Sequence, residues 1–325
     1  MSSARLAVTA AALAGDSGGL YNLVSKVLGD GVPFDRVLFD LLIPAEKDLG
    51  TRWQQGDYLV AEEHAATATI ETVISLLAGS FDQPDDAATI VIATAQGDDH
   101  SLPARAISAH LLFLGYRTIF LGANVLASDL VEFLDGEEVS ALILGCAMTS
   151  QLPGARKIIK ESHAAGVPVV VGGKGFGHEG EWAGAMGADA WVGSLEEVAL
   201  TLESWSPDLP AAEKNAKDID DVLESLIDSW PAIVGNARAQ MGTDEIDPRN
   251  RARVLSEIGL ALDAVISSML VEDNRVLRSM LKWQRETLVN HGLVIHEQMI
   301  RALTESLRKV SADAAVMLES TVAQI

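Results

Sequence analysis

Cysteine is almost absent: Cys146 stands alone in 325 residues, which excludes an internal disulfide framework and a zinc site built on thiolates. Positive charge is scarce as well. Lys and Arg total 24 against 46 Asp and Glu, a formal charge of −22. A surface that acidic repels phosphate backbones, so direct DNA binding is not expected. No run reaches the ~18 consecutive apolar residues of a membrane span. The opening MSSARLAVTAAALAGDS has one early Arg, and with Asp16 and no cleavage pattern it reads as a helix rather than a signal peptide. A cytoplasmic chain away from membranes is therefore expected. What is present is apolar: 48% of residues are hydrophobic and 22% charged, the balance of a globular chain, with a length of two or three domains.

The hydrophobic period changes along the chain. Over residues 1–82 it is helical: Val37, Leu38, Leu41, Leu42, Ala45 and Leu49 fall at i, i+3, i+4 and i+7 spacing, predicting a small four-helix bundle. Over 83–205 short β-branched runs (ATIVIATA, RTIFLG, SALILGC, VPVVVGG, ADAWVG) alternate with helical stretches, predicting a five-stranded, Rossmann-like parallel sheet. Residues 206–230 form an acidic linker running into a helix. Residues 231–325 are helical throughout and hold nine of the 15 arginines. The fold class is thus α/β plus all-α.

Ligands of parallel sheets sit beyond the carboxyl ends of the strands, which singles out three loops. Strand 1 ends in Gln96-Gly97-Asp98-Asp99-His100-Ser101-Leu102-Pro103. Imidazole is a strong ligand for cobalt, and a carboxylate two residues earlier would hold its tautomer and raise its basicity. Strand 3 leads into Met148-Thr149-Ser150, whose hydroxyls suit a buried heteroaromatic, and strand 4 ends in Gly172-Gly173, which permits close backbone approach. A solvated loop histidine and a plain glycine turn are the ordinary alternatives.

The D-x-H of strand 1, the hydroxyl-bearing stretch after strand 3 and the GG after strand 4 together resemble the cobalamin-binding fold of methionine synthase and its relatives. The resemblance implies that His100 is the lower axial ligand of cobalt, with the displaced base of the cofactor lying in the sheet. It implies cofactor contacts from Asp98, Ser101, Leu102, Met148, Thr149, Ser150, Gly172 and Gly173. Where that family has Gly in D-x-H-x-x-G, this chain has Pro103. The stretch LLIPAEKDLGTRWQQGDYLVAEEH resembles the cap bundle of cobalamin proteins, and within it Trp53 with Glu63-His64 resembles the W-x9-E-H signature of the CarH-type light-dependent repressors. That likeness implies adenosylcobalamin, with Trp53, Val60, Glu63 and His64 around the upper ligand and photolysis of the Co–C bond as the trigger. Gln54 stands where those repressors carry a cobalt-capturing His.

A helical unit behind such a cap and sheet resembles the photocobilin family, in which a globin-like domain carries biliverdin. That resemblance implies non-covalent biliverdin, since the only cysteine lies in the sheet, with Arg275, Arg278, Trp283, His291 and His296 as its residues. His291 and His296, five residues apart on one helix, face about 140° from each other, so one is expected to face the ligand and the other solvent. The expected function is a non-enzymatic photoreceptor, a homo-oligomer (a dimer) passing its signal to a downstream protein. The competing readings are a corrinoid carrier for methyl transfer and a cobalamin sensor whose helical tail binds haem or only dimerises.

Overall fold

The computed structural model describes residues 2–83, 87–204, 221–242 and 248–325. The chain opens with α1 (Ser2–Leu13) and α2 (Ser17–Gly29), then α3 (Phe34–Val37), a π-helical turn (Leu38–Leu42), α4 (Ile43–Gln54) and α5 (Val60–Ala78). The π turn has a local cause. Pro44 brings no amide hydrogen, and its ring crowds the carbonyl four residues back; widening the helix just upstream accommodates it. The stripe read from the sequence is fully buried at Val37, Leu38, Leu41, Leu42, Ala45 and Leu49.

Five parallel strands follow: β1 (Thr89–Thr94), β2 (Arg117–Gly122), β3 (Ala141–Gly145), β4 (Val169–Gly172) and β5 (Ala190–Val192), in the order β2-β1-β3-β4-β5. Their crossovers are α6 (Ser101–Phe113), α7 (Ala127–Asp135), α8 (Leu152–Ala164) and α9 (Ala183–Met186), and α10 (Glu197–Ser204) closes the unit. The order reverses at β1 and β3, the switch point beyond which ligands bind in doubly wound sheets. The cap is seated on the helix that leaves this point: Leu102, Ala106 and Ala109 of α6 belong to the cap core.

The C-terminal part comprises α11 (Asp221–Asp228), α12 (Trp230–Gln240), α13 (Pro248–Val271), α14 (Asn274–Asn290), α15 (His296–Leu307) and α16 (Ala312–Val322). Much of the linker expected at 206–230 lies outside the described residues. Its end, α11, buries Leu223 and Leu226 in the helical unit, so ordered helix begins before residue 231. This unit is not a separate bead. Val91, Ala93, Leu142 and Leu144 on one face of the sheet share a continuous core with Val254, Ile258, Leu277 and Leu303. Arg251–Val271 is long and apolar enough to cross a membrane, and 67% of that window is buried inside the protein, the mark of a core helix.

The expectation of one helix carrying both His291 and His296 fails. Gly292, at φ +75°, ends α14, a backbone conformation that glycine adopts freely. His291 therefore follows one helix and His296 starts the next. A second break falls at Ser311, whose hydroxyl accepts from the Ala314 amide at 3.2 Å and caps α16.

Candidate cofactor site

The loop after β1 is held from three sides. Asp98 is buried, and its Oδ1 accepts from the His100 amide (3.0 Å) and pairs with His100 Nδ1 (2.8 Å). Its other oxygen accepts from the Ala147 amide, beyond β3, at 2.7 Å. The Asp98 carbonyl accepts from the Thr94 hydroxyl (2.6 Å) and the Asn124 amide (2.9 Å). Asn124, itself at φ +54°, also accepts from the Gly97 amide at 2.7 Å. From the other side Gln151 donates to the Gly97 carbonyl at 3.1 Å. A Cβ on Gly154 would come within 2.3 Å of the Gln96 carbonyl oxygen, so only glycine lets α8 lie this close. Pro103 does not disturb the loop. It occupies the first turn of α6, where the amide it lacks would have no helical partner.

The imidazole is thereby fixed. With Nδ1 on Asp98, Nε2 is the nitrogen that remains for a metal, and the ring is half-exposed. The Asp98 hydrogen bond raises its pKa above the ordinary histidine value, with burial opposing and Glu46 and Glu63 of the cap adding to the rise. Burial and the neighbouring Glu63 in turn push the Glu46 carboxyl upward. A third cap carboxylate, Glu71, accepts from the Ser101 hydroxyl at 2.5 Å. Three acidic side chains thus approach the His100 turn from α4 and α5; Glu63 is among the residues expected from the sequence, Glu46 and Glu71 are not. Among the described residues no cluster of three or more metal-ligating side chains forms. One oriented imidazole fits a metal whose other positions a macrocycle supplies.

Register builds a floor beside it. Thr94 pairs with Gly145, and Gly145 with Gly172. By strand alternation these positions share the face of Ile90, Ile92, Ile143 and Val170. A Cβ on Gly145 would meet nothing closer than 3.7 Å and one on Gly172 nothing closer than 3.2 Å, so two adjacent strands end in a surface bare of side chains. A flat heterocycle fits there. Gly145 was not singled out from the sequence; only the pairing of β3 with β4 reveals it.

Several expected contacts are placed differently. Gly173, at φ +103°, is packed on protein, since a Cβ there would lie 2.2 Å from the Cys146 carbonyl oxygen. Met148 presents its backbone, donating to Gln151 Oε1 at 2.9 Å and accepting from the Cys146 thiol at 3.3 Å. Thr149 opens instead on a cleft of about 270 Å³ with Lys174, Glu181, Trp182 and Arg275. Ser150 is buried with no partner for its hydroxyl. Leu102 is committed to the cap core.

In the cap, Val60 and His64 are exposed, with His64 Nε2 3.6 Å from the Glu63 carboxylate, while Glu63 accepts from Thr67 at 3.0 Å. Trp53 turns toward the C-terminal helices. Its ring centroid lies 5.5 Å from that of His291 and 6.3 Å from that of Trp283, and its indole N–H is buried without a partner. Two residues expected to hold a bilin therefore contact the cap. The arginines expected to pair with bilin carboxylates are engaged within the protein: Arg275 with Asp273 (2.6 Å) and Glu181 (3.8 Å), Arg278 with Gln324. His296 keeps a buried, unpartnered Nε2, and burial lowers its pKa.

Comparison with known proteins agrees with this geometry. Residues 88–203 match the family described as B12 binding domain, and residues 6–78 match a second family of the same description. Trimethylamine corrinoid protein 1 of Methanosarcina mazei is 26% identical over 166 residues, 49% of this chain and 76% of that protein. Trimethylamine corrinoid protein 1 of Methanosarcina acetivorans is 23% identical over a span of the same length, covering the same share of each. The structure of the Methanosarcina barkeri monomethylamine corrinoid protein superposes with a TM-score of 0.52 at 21% identity, covering 61% of this chain and 96% of the other. Cap and sheet share that fold, and both family matches end before α11.

Proposed function

We propose that this chain, a cobalamin-binding protein in its first 203 residues, carries a corrinoid with His100 beneath cobalt and exchanges an alkyl group on the cap side, as a methyl carrier does. The observation behind this reading is the clamped Asp98–His100 pair at the switch point of the sheet, beside the Gly145–Gly172 floor that suits the displaced base. The named relatives are trimethylamine and monomethylamine corrinoid proteins, which favours methyl over other groups. Cobalt supplies the group-transfer chemistry. The protein orients the imidazole, keeps its second nitrogen on a carboxylate and covers the site with a helical cap. A carrier of this kind needs a separate methyltransferase partner and is not itself an enzyme.

One observation favours a second reading, a light sensor loaded with adenosylcobalamin. Trp53 has a buried indole N–H without a partner, a donor suited to a nucleoside, and its ring touches helices that could pass a cap movement to a signalling partner or a second copy. Biliverdin in the C-terminal helices belongs to this reading, with carboxylate partners other than Arg275 and Arg278.

The test uses protein purified in darkness and titrated separately with methylcobalamin, adenosylcobalamin and biliverdin, with spectra before and after green light. The carrier reading expects methylcobalamin to bind at least as tightly as adenosylcobalamin, with no bilin band. Strong preference for adenosylcobalamin, with a light-driven change in sedimentation, would replace it by the sensor reading.

A further inference from the structure

α14 is fastened at both ends, to different parts of the cobalamin-binding unit. At its start, Asp273 caps the helix by accepting from the Arg275 amide at 2.9 Å. The same carboxylate accepts from the indole N–H of Trp182, beyond β4, at 3.1 Å. The Arg275 guanidinium lies on Asp273, reaches Glu181 at 3.8 Å and stands 5.9 Å from the Trp182 ring centroid. That end belongs to the sheet.

The other end belongs to the cap. His291 Nε2 lies 2.9 Å from the Trp53 carbonyl oxygen, and the Asn290 side-chain amide donates to the Gln54 carbonyl at 2.9 Å. Both carbonyls are in the last turn of α4, at the negative end of the helix dipole; the Trp53 oxygen also accepts from the Gly56 amide at 2.9 Å. Gly56 lets the two helices meet: it holds φ +85°, and a Cβ there would strike the Asn290 carbonyl oxygen at 2.6 Å. The Trp53, Trp283 and His291 rings fill the contact. One rigid element of 17 residues, about 25 Å long at helical rise, therefore joins sheet to cap.

We infer that α14 is a strap setting the position of the cap over the sheet, and that the C-terminal helices thereby control access to the cofactor. The cap cannot lift from the sheet with both ends of α14 fastened. It must either release the His291–Trp53 and Asn290–Gln54 contacts or carry the helical unit with it. Whatever raises the cap, a docking partner or a change of upper ligand, therefore reports to the C-terminal helices, and anything that grips those helices holds the cap down. The inference goes beyond the proposed function and holds for either reading of it.

A strap differs from two independent stabilising contacts in one measurable respect: cutting either end frees the cap, and cutting the second adds little. The experiment is hydrogen exchange by mass spectrometry on the full apo chain, following residues 43–56 in four variants. His291→Ala removes the ring and one of the two hydrogen bonds of the cap fastening. His291→Gln keeps an N–H donor there. Asp273→Asn retains a helix cap while losing the charge that holds Arg275. The fourth combines His291→Ala with Asp273→Asn. We expect His291→Ala to raise exchange across 43–56 by roughly fivefold, the worth of one neutral hydrogen bond, and His291→Gln to restore protection. Asp273→Asn should raise exchange in the same cap segment from the far end of the helix, and the double variant should barely exceed the larger single. Release of bound hydroxocobalamin should quicken in the same order. Unchanged protection of 43–56 in Asp273→Asn, or full additivity in the double variant, overturns the strap. Because exchange is read on apo protein, failure of the strap and failure of cobalamin binding are separate results.

Discussion

Replacing Asp98 by alanine removes a carboxylate that is 1% exposed and accepts three hydrogen bonds: from the His100 amide, the His100 ring and the Ala147 amide. The bond to the ring is charge-assisted when the imidazole is protonated, and such bonds contribute about 1.5–3 kcal/mol each. The Ala147 amide would lose its partner at a further penalty of about 1–3 kcal/mol. Part of the loop survives, because Thr94 and Asn124 hold the Asp98 backbone carbonyl rather than the side chain. The net loss is therefore about 3–5 kcal/mol, a large share of the 5–15 kcal/mol that keeps a typical domain folded. Asp98→Asn, which keeps one acceptor oxygen, should lose about half as much. Urea denaturation of the apo protein measures the first quantity. Titration with hydroxocobalamin measures a second, a fall in affinity of about 10–100-fold expected when a ligating histidine loses its carboxylate. Parent-like values in both experiments would refute the role assigned to Asp98.

Further outcomes follow from the same geometry. Gly145→Ala should fold normally, its new Cβ finding nothing nearer than 3.7 Å, yet weaken cobalamin binding by narrowing the floor; Gly173→Ala, at φ +103° and 2.2 Å from a carbonyl oxygen, should lose roughly 2 kcal/mol or more in thermal melts. Asp263 is half-buried and accepts from the Trp230 indole N–H, and its desolvation raises its pKa to about 7. The native state therefore keeps this proton between about pH 4 and 7 while the unfolded chain releases it. Its contribution to stability is complete below about pH 4 and lost as pH rises to 7. Asp263→Asn should flatten that slope and stabilise the protein at pH 8 by a few kcal/mol, as urea midpoints across the range would show; a steeper slope in the variant would contradict it.

The parts of this molecule legible in the sequence are those written locally. The stripe from Val37 to Leu49 and the five β-branched runs announce their elements because burial repeats at the period of the backbone. Asp98 and His100 are legible as a pair because two residues at a strand end are neighbours in space as well as in sequence. Thr94, Asn124 and Gln151, which hold them, meet across separate loops, and a lone polar side chain leaves no periodic trace. Gly145 gains meaning only beside Gly172, which requires strand register. The direction of Trp53 is not legible, since helical period tells which face is apolar and not which neighbour covers it. Arg275 and Arg278 looked available because composition counts charges without their partners. The break between His291 and His296 rests on Gly292 alone, and helical periodicity carries across a single glycine.

The central claim, that His100 replaces the cofactor's own base beneath cobalt, is tested most directly by electron paramagnetic resonance of the Co(II) form in protein labelled with nitrogen-15 histidine and loaded with unlabelled cobalamin. Nitrogen-15 has nuclear spin one-half and ordinary nitrogen spin one. Ligation by a protein histidine splits each cobalt line into two, and the doublet should vanish in His100→Ala. Three-fold splitting that persists in the labelled protein would mean that the cofactor keeps its own base and that His100 is not the ligand.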